Sequence, residues 1–136
     1  MIKRNLVVLM VAAAVTVVGL TGAAQILDTE AFRVSLNPFT LVYDDTDWLS
    51  GTGDSWTYRG TLAGHVTYKF QLVVPFPADF DIKIYDENGN LVAKGTRSGS
   101  DDESVTITPA WTGPFRIVVY SYSGSGFYTL KMYRRR

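Results

Sequence analysis

The chain has 136 residues, a formal net charge of zero and no cysteine. Disulfides, thiolate metal sites and cysteine nucleophiles are therefore excluded, as is a lipid-modified cysteine behind a leader. The balanced charge does not suggest nucleic acid, which wants a basic face; Arg134, Arg135 and Arg136 are a small basic tail, read as a solvated end, and the length suits one domain plus a leader.

The chain opens with MIKRNLVVLMVAAAVTVVGLTGAAQ. Lys3 and Arg4 form a basic start, Leu6 to Leu20 an apolar run, and Gly22 and Ala24 the small residues before Gln25. Residues 1–24 thus have the layout of a secretory signal peptide. An uncleaved membrane anchor is the other reading, because Leu6 to Ala24 is roughly long enough to cross a bilayer. Both readings place the rest outside the cytoplasm, secreted or at the cell surface, touching membrane only through this segment.

Residues 25–55 read as an N-terminal extension. FTLVY, Phe39 to Tyr43, is a short strand after Pro38. DDTDWLSGTGDS, Asp44 to Ser55, is a loop by its Asp, Ser, Thr and Gly content. Residues 56–133 then alternate in strand after strand. WTYRGTL is followed by the turn Ala63-Gly64. VTYKFQLVV puts Tyr68, Phe70, Leu72 and Val74 on one face and ends at Pro75 and Pro77. FDIKIYD turns Phe80, Ile82 and Ile84 inward, and Asp81 outward as a solvated acid. NLVAKG pairs with it across Glu87-Asn88-Gly89-Asn90, where Asn-Gly between alternating runs signals a hairpin. TRSGSDD is a polar loop. ESVTIT, FRIVVYSY and FYTLKMY supply three further strands, with inward sets led by Val105, Phe115 and Tyr128. No segment after the leader has a helical period. The fold expected is all-β: a single antiparallel, jelly-roll-like β-sandwich of about 7–9 short strands. About 110 residues bury a working core without cross-links.

The order of these pieces carries a resemblance. Gly60-Thr61-Leu62-Ala63-Gly64 is followed by Tyr68-Lys69-Phe70 closing on Val74-Pro75, then by Asp81 to Asp86 closing on Gly89-Asn90. Asp102-Glu103 leads into Ser104-Val105-Thr106. Gly113-Pro114-Phe115-Arg116-Ile117-Val118-Val119 follows, and Tyr128-Thr129-Leu130 closes the series. This series resembles the bacterial pre-peptidase C-terminal (PPC) domain, a β-sandwich appended to many secreted proteases. The resemblance implies a non-catalytic accessory module, with a secreted protease among its partners. Some relatives of that fold bind calcium through acids near the domain start.

Few side chains suggest a chemical site. Asp81 to Asn90 is rich in oxygen donors, but neither it nor Asp44 to Asp47 has the donor spacing and sixth-position Gly of a calcium loop. Hard cations favour several carboxylates on one loop, so the weak calcium candidates are Asp44, Asp45 and Asp47, and Asp101, Asp102 and Glu103. The alternative is ordinary surface-loop acids. No cofactor is expected. Gly53-Asp54-Ser55 resembles the surroundings of some hydrolase serines, but His65 is the sole histidine and no nucleophile elbow is present. Trp48, Trp111 and Tyr122 fall in or beside turns, as anchors for a sugar or protein partner or as caps on the sandwich ends.

The function expected is an exported, non-catalytic β-sandwich that contacts a protein or glycan surface. A structural subunit of an extracellular filament or coat, paired through edge strands, is the alternative. A small secreted hydrolase comes last.

Overall fold

Alternating apolar residues can bury one face of a strand only if a second sheet covers it. The computed structural model describes residues 38–136, and the leader and the residues before Pro38 lie outside the described residues. Eight strands are present: β1 (Phe39–Leu49), β2 (Ser55–Leu62), β3 (Tyr68–Val73), β4 (Asp79–Tyr85), β5 (Leu91–Gly95), β6 (Glu103–Ile107), β7 (Gly113–Ser123) and β8 (Gly126–Arg135). They form two four-stranded sheets, ordered β1-β8-β3-β6 and β2-β7-β4-β5, with every pairing antiparallel. Consecutive strands alternate between the sheets except at the β4–β5 hairpin, which is jelly-roll order. Among the described residues no helix is long and apolar enough to cross a membrane.

The core is built from the inward sets. Phe70, Leu72, Phe80, Ile82, Ile84, Val119, Tyr128 and Leu130 are almost completely buried. The Phe80 and Tyr128 rings meet edge to face at 6.2 Å. The Tyr58 and Tyr128 hydroxyls, one from each sheet, are 2.9 Å apart. Burial, followed by the Tyr128 contact, drives the Tyr58 phenol far above its ordinary pKa, so it stays protonated. Among the described residues the strands and the buried core run from Phe39 to Arg135.

Two expectations need correction. Asp44 to Trp48 is strand, not loop: β1 continues to Leu49 because β8 offers a partner along its whole length. The loop that follows is confined to Ser50 to Asp54. Asp81 does lie opposite the core residues of β4, but it is buried rather than solvated, and the Tyr120 hydroxyl bonds to it. The expected hairpin at Asp86 to Asn90 is present, with positive φ at Gly89 (80°). Asp86 holds this turn together by accepting the N–H groups of Asn88 (2.9 Å) and Asn90 (2.8 Å). The side-chain amide and N–H groups of this turn hold its carboxyl below the ordinary range.

Glu103 closes the open side between β5 and β6. It is 1% exposed and accepts the Arg97 N–H. Its carboxylate occupies the space beside Gly95, where an added Cβ would lie 2.6 Å from Oε2. Burial raises the carboxyl above its ordinary value, the Arg97 N–H opposes this, and the Asp81 charge adds to it. A carboxyl raised by folding stabilises fully below its unfolded pKa and loses that contribution as pH rises through the folded value. Melting temperature should therefore fall between mildly acid and neutral pH. Glu103→Gln, which keeps the acceptor and removes the charge, should flatten this fall. Parallel slopes for the two proteins across that range would contradict the assignment.

Candidate functional site

The connections β1–β2, β3–β4, β5–β6 and β7–β8 gather at one end of the sandwich, and they carry its most exposed rings. Leu49 is buried, so its neighbour Trp48 points outward, and Tyr128 places Phe127 outward in the same way. Trp48 and Phe127 are cross-strand partners. Their rings meet at 4.8 Å with an interplanar angle of 69°, and Phe127 is 66% exposed. Such an edge-to-face pair is fixed on paired strands and has little freedom to lose on contact.

Beside this pair lies the β3–β4 tip, Pro75-Phe76-Pro77-Ala78. The Phe76–Pro77 peptide is cis, and the Ala78 N–H bonds the Pro75 carbonyl at 2.8 Å. Phe76 is 88% exposed. Gly126 lets the tip pack against the start of β8: a Cβ there would lie 2.8 Å from Pro75 Cγ. Tyr122, also exposed, extends from the far end of β7, where Ser121 Oγ donates to the Gly124 carbonyl at 2.6 Å.

Acids fasten the loops around these rings. Asp54 accepts the Ser50 N–H (2.8 Å) and hydroxyl (3.0 Å), which holds its carboxyl below the ordinary range. Asp79 accepts the Gly99 N–H at 3.0 Å, and Asp102 the Val74 N–H at 3.0 Å.

The calcium candidates are not drawn together. On β1, Asp44 lies opposite Lys131, while Asp47 lies opposite Tyr128. Asp45 reaches the Tyr58 hydroxyl between the sheets. Asp47 Oδ1 accepts the Trp48 N–H, and Oδ2 is buried without a hydrogen-bond partner. Asp101 is exposed, Asp102 clasps Val74, and Glu103 is buried. Among the described residues no three His, Asp or Glu side chains are placed to hold a metal ion.

Trp111 lies at the opposite end. Its indole N–H donates to Glu87 Oε1 at 3.1 Å, and its ring lies over Gly113. It ties the β6–β7 loop to the β4–β5 hairpin. The three aromatic candidates thus divide into Trp48 and Tyr122 at one end and Trp111 at the other. Ser55 opens β2 and His65 lies three residues past its end, so an eight-residue strand separates them, roughly 25 Å at strand rise. A third feature is an apolar recess of about 200 Å³ on the open side between β1 and β2, lined by Tyr43, Tyr58, Leu62, Phe70 and Met132 among others.

Phe127 and Phe76 belong to the aromatic end but were not among the sequence candidates. Phe127 was legible, since it precedes the inward series Tyr128, Leu130, Met132. Phe76 carried a weaker signal: a large ring between two prolines that cannot continue a central strand.

No protein-family model matches the sequence, and no curated protein matches it. Solved structures do. The pre-peptidase C-terminal domain of collagenase from Bacillus anthracis superposes with a TM-score of 0.54 at 19% identity, covering 66% of this chain and 87% of that one. PliG of Aeromonas hydrophila, a periplasmic inhibitor of g-type lysozyme, gives 0.55 at 8% identity, covering 68% and 85%. A β-sandwich carbohydrate-binding module aligns at a TM-score of 0.31, too distant to support an argument. At these identities the likeness is one of fold, and the fold is that of the PPC domain.

Proposed function

We propose that this chain is an exported, non-catalytic binding module that contacts a protein or glycan surface through its aromatic end. The observation that carries this reading is the exposed Trp48–Phe127 pair, flanked by Phe76 and Tyr122. Exposed rings held on a rigid scaffold suit recognition, because they bury much area while losing few rotamers. The fold neighbours agree with an accessory role: one is a domain of a collagenase, the other an inhibitor of a lysozyme. Export is supported by the signal-like leader and by the periplasmic location of that inhibitor. The separation of Ser55 from His65 speaks against a serine hydrolase.

Trp48→Ala should leave melting nearly unchanged, because the ring is half exposed, and weaken attachment to host cells or their surface fractions by about 2 kcal/mol, roughly 30-fold. Trp111→Ala, at the far end, should leave attachment per folded molecule unchanged. Equal attachment by wild type and Trp48→Ala would remove the aromatic end from the account.

A further inference from the structure

The two ends of the sandwich differ in charge. Around the aromatic end the loops carry Asp54, Asp101 and Asp102, and Arg97 is the one cation in those loops among the described residues. The other end carries Arg134, Arg135 and Arg136, all exposed, with Arg116 beside the hairpin at Gly89. Its acids are Asp86, which holds its turn, and Glu87, on Trp111, so the arginines there are in excess. No carboxylate among the described residues pairs with the three terminal arginines, and Arg136 Nε donates instead to Thr40 Oγ1 at 2.9 Å.

The arginine end also has an open cleft. Thr40, Val42, Arg134, Arg135 and Arg136 enclose about 320 Å³, more than a phenyl ring needs. Val42 gives it an apolar wall, and guanidinium groups stack favourably on aromatic faces. The opposite end presents a ring of that kind: Phe76, 88% exposed on a tip stiffened by two prolines. Within one copy these surfaces cannot meet, since they are separated by the length of β8, about 30 Å.

We propose that copies of this chain associate head to tail, the acid-rimmed aromatic end of one seating on the arginine end of the next, with Phe76 entering the Thr40–Val42–Arg134–Arg136 cleft. This rests on the reading of the aromatic end as a contact surface and names a second copy as its partner. The charges of the two ends are opposite and the cleft has room for a ring, whereas a neutral glycan would leave the acidic rim and the arginine cleft unexplained. The contact is heterologous, so it propagates into a chain or closes into a ring.

The test is sedimentation velocity on the chain from Gln25, which contains every described strand, with Phe76→Asp and the double variant Arg134→Glu/Arg135→Glu. Circular dichroism first establishes that both variants are folded. At low salt and high micromolar concentration the wild type should form a concentration-dependent series of oligomers that shrinks as salt is raised. Each variant alone should be monomeric. An equimolar mixture should give a dimer of twice the monomer mass and nothing larger, because each variant keeps one intact end. A monomeric wild type, a mixture that stays monomeric, or a variant that assembles like wild type would overturn head-to-tail association. A monomeric wild type whose cell attachment is still lost with Trp48→Ala would leave the binding end standing with a different partner.

Discussion

Alanine at Gly64 will destabilise the sandwich by about 2–3 kcal/mol, while alanine at Gly60, four residues earlier in the same motif, will cost almost nothing. An added Cβ at Gly64 would lie 2.7 Å from the Trp111 carbonyl carbon, 2.8 Å from its Cα and 2.9 Å from the Thr112 nitrogen. These are backbone atoms and cannot swing aside as a side chain can. The approach is close because two loops are clasped there. The Gly64 N–H donates to Thr112 Oγ1 at 2.9 Å, and the His65 N–H to the Pro109 carbonyl at 2.7 Å. Forcing them apart loosens the whole end that Trp111 covers. At Gly60 a Cβ would meet nothing within 4 Å, and its φ is ordinary. Loss of backbone freedom in the unfolded chain can even make that change slightly favourable. Thermal melts of the two variants side by side check this; equal melting temperatures would mean that the Gly64 clasp is absent in solution.

The largest loss should come from Phe80→Ala, about 4 kcal/mol. Phe80 is fully buried near the start of β4 and holds the Tyr128 ring edge to face. Tyr128 in turn carries the hydroxyl that meets Tyr58 across the sheets. Truncation leaves a cavity between two stiff sheets that cannot collapse to fill it, so the cost of the void adds to the lost burial. Against a total stability of about 5–15 kcal/mol this is a large fraction. Denaturant titration should show a midpoint far below that of wild type with a similar slope. A loss near that of a surface substitution would contradict the described core.

The sandwich was legible because its information is local. Tyr68, Phe70 and Leu72, or Phe115, Ile117 and Val119, mark an inward face without knowledge of any other strand. Where the outcome depends on a distant partner, local reading fails. Asp44 to Asp47 looks like a loop because Asp disfavours strands, yet β1 is an edge strand paired on one side only by β8. Acids there are tolerated and also blunt the edge against further pairing. Asp81 was assigned to the correct face, but alternation gives orientation and not burial, and Tyr120 on a neighbouring strand makes the difference. At Asp86 to Asn90 the turn was foreseen from Asn-Gly, whereas its holding group is the Asp86 carboxylate two and four residues upstream of the amides it binds. The aromatic end was half legible. Trp48 and Tyr122 were visible as rings out of phase with the core, but only the jelly-roll order brings β1, β8 and the Pro75–Ala78 tip together, and that order depends on pairing across most of the chain.

Three tryptophans give the most direct test, since each contributes one indole N–H signal in a nitrogen-resolved NMR spectrum. Trp48 belongs to the aromatic end, Trp56 lines the edge of β2, and Trp111 lies at the opposite end with its N–H on Glu87. The chain is titrated with the cell-surface fraction to which it attaches, solubilised by enzymatic digestion, and the signals are assigned by single Trp→Phe changes. The Trp48 signal should shift or broaden while that of Trp111 stays in place. A Trp111 signal that moves while Trp48 remains unperturbed would place the contact at the wrong end and contradict that expectation.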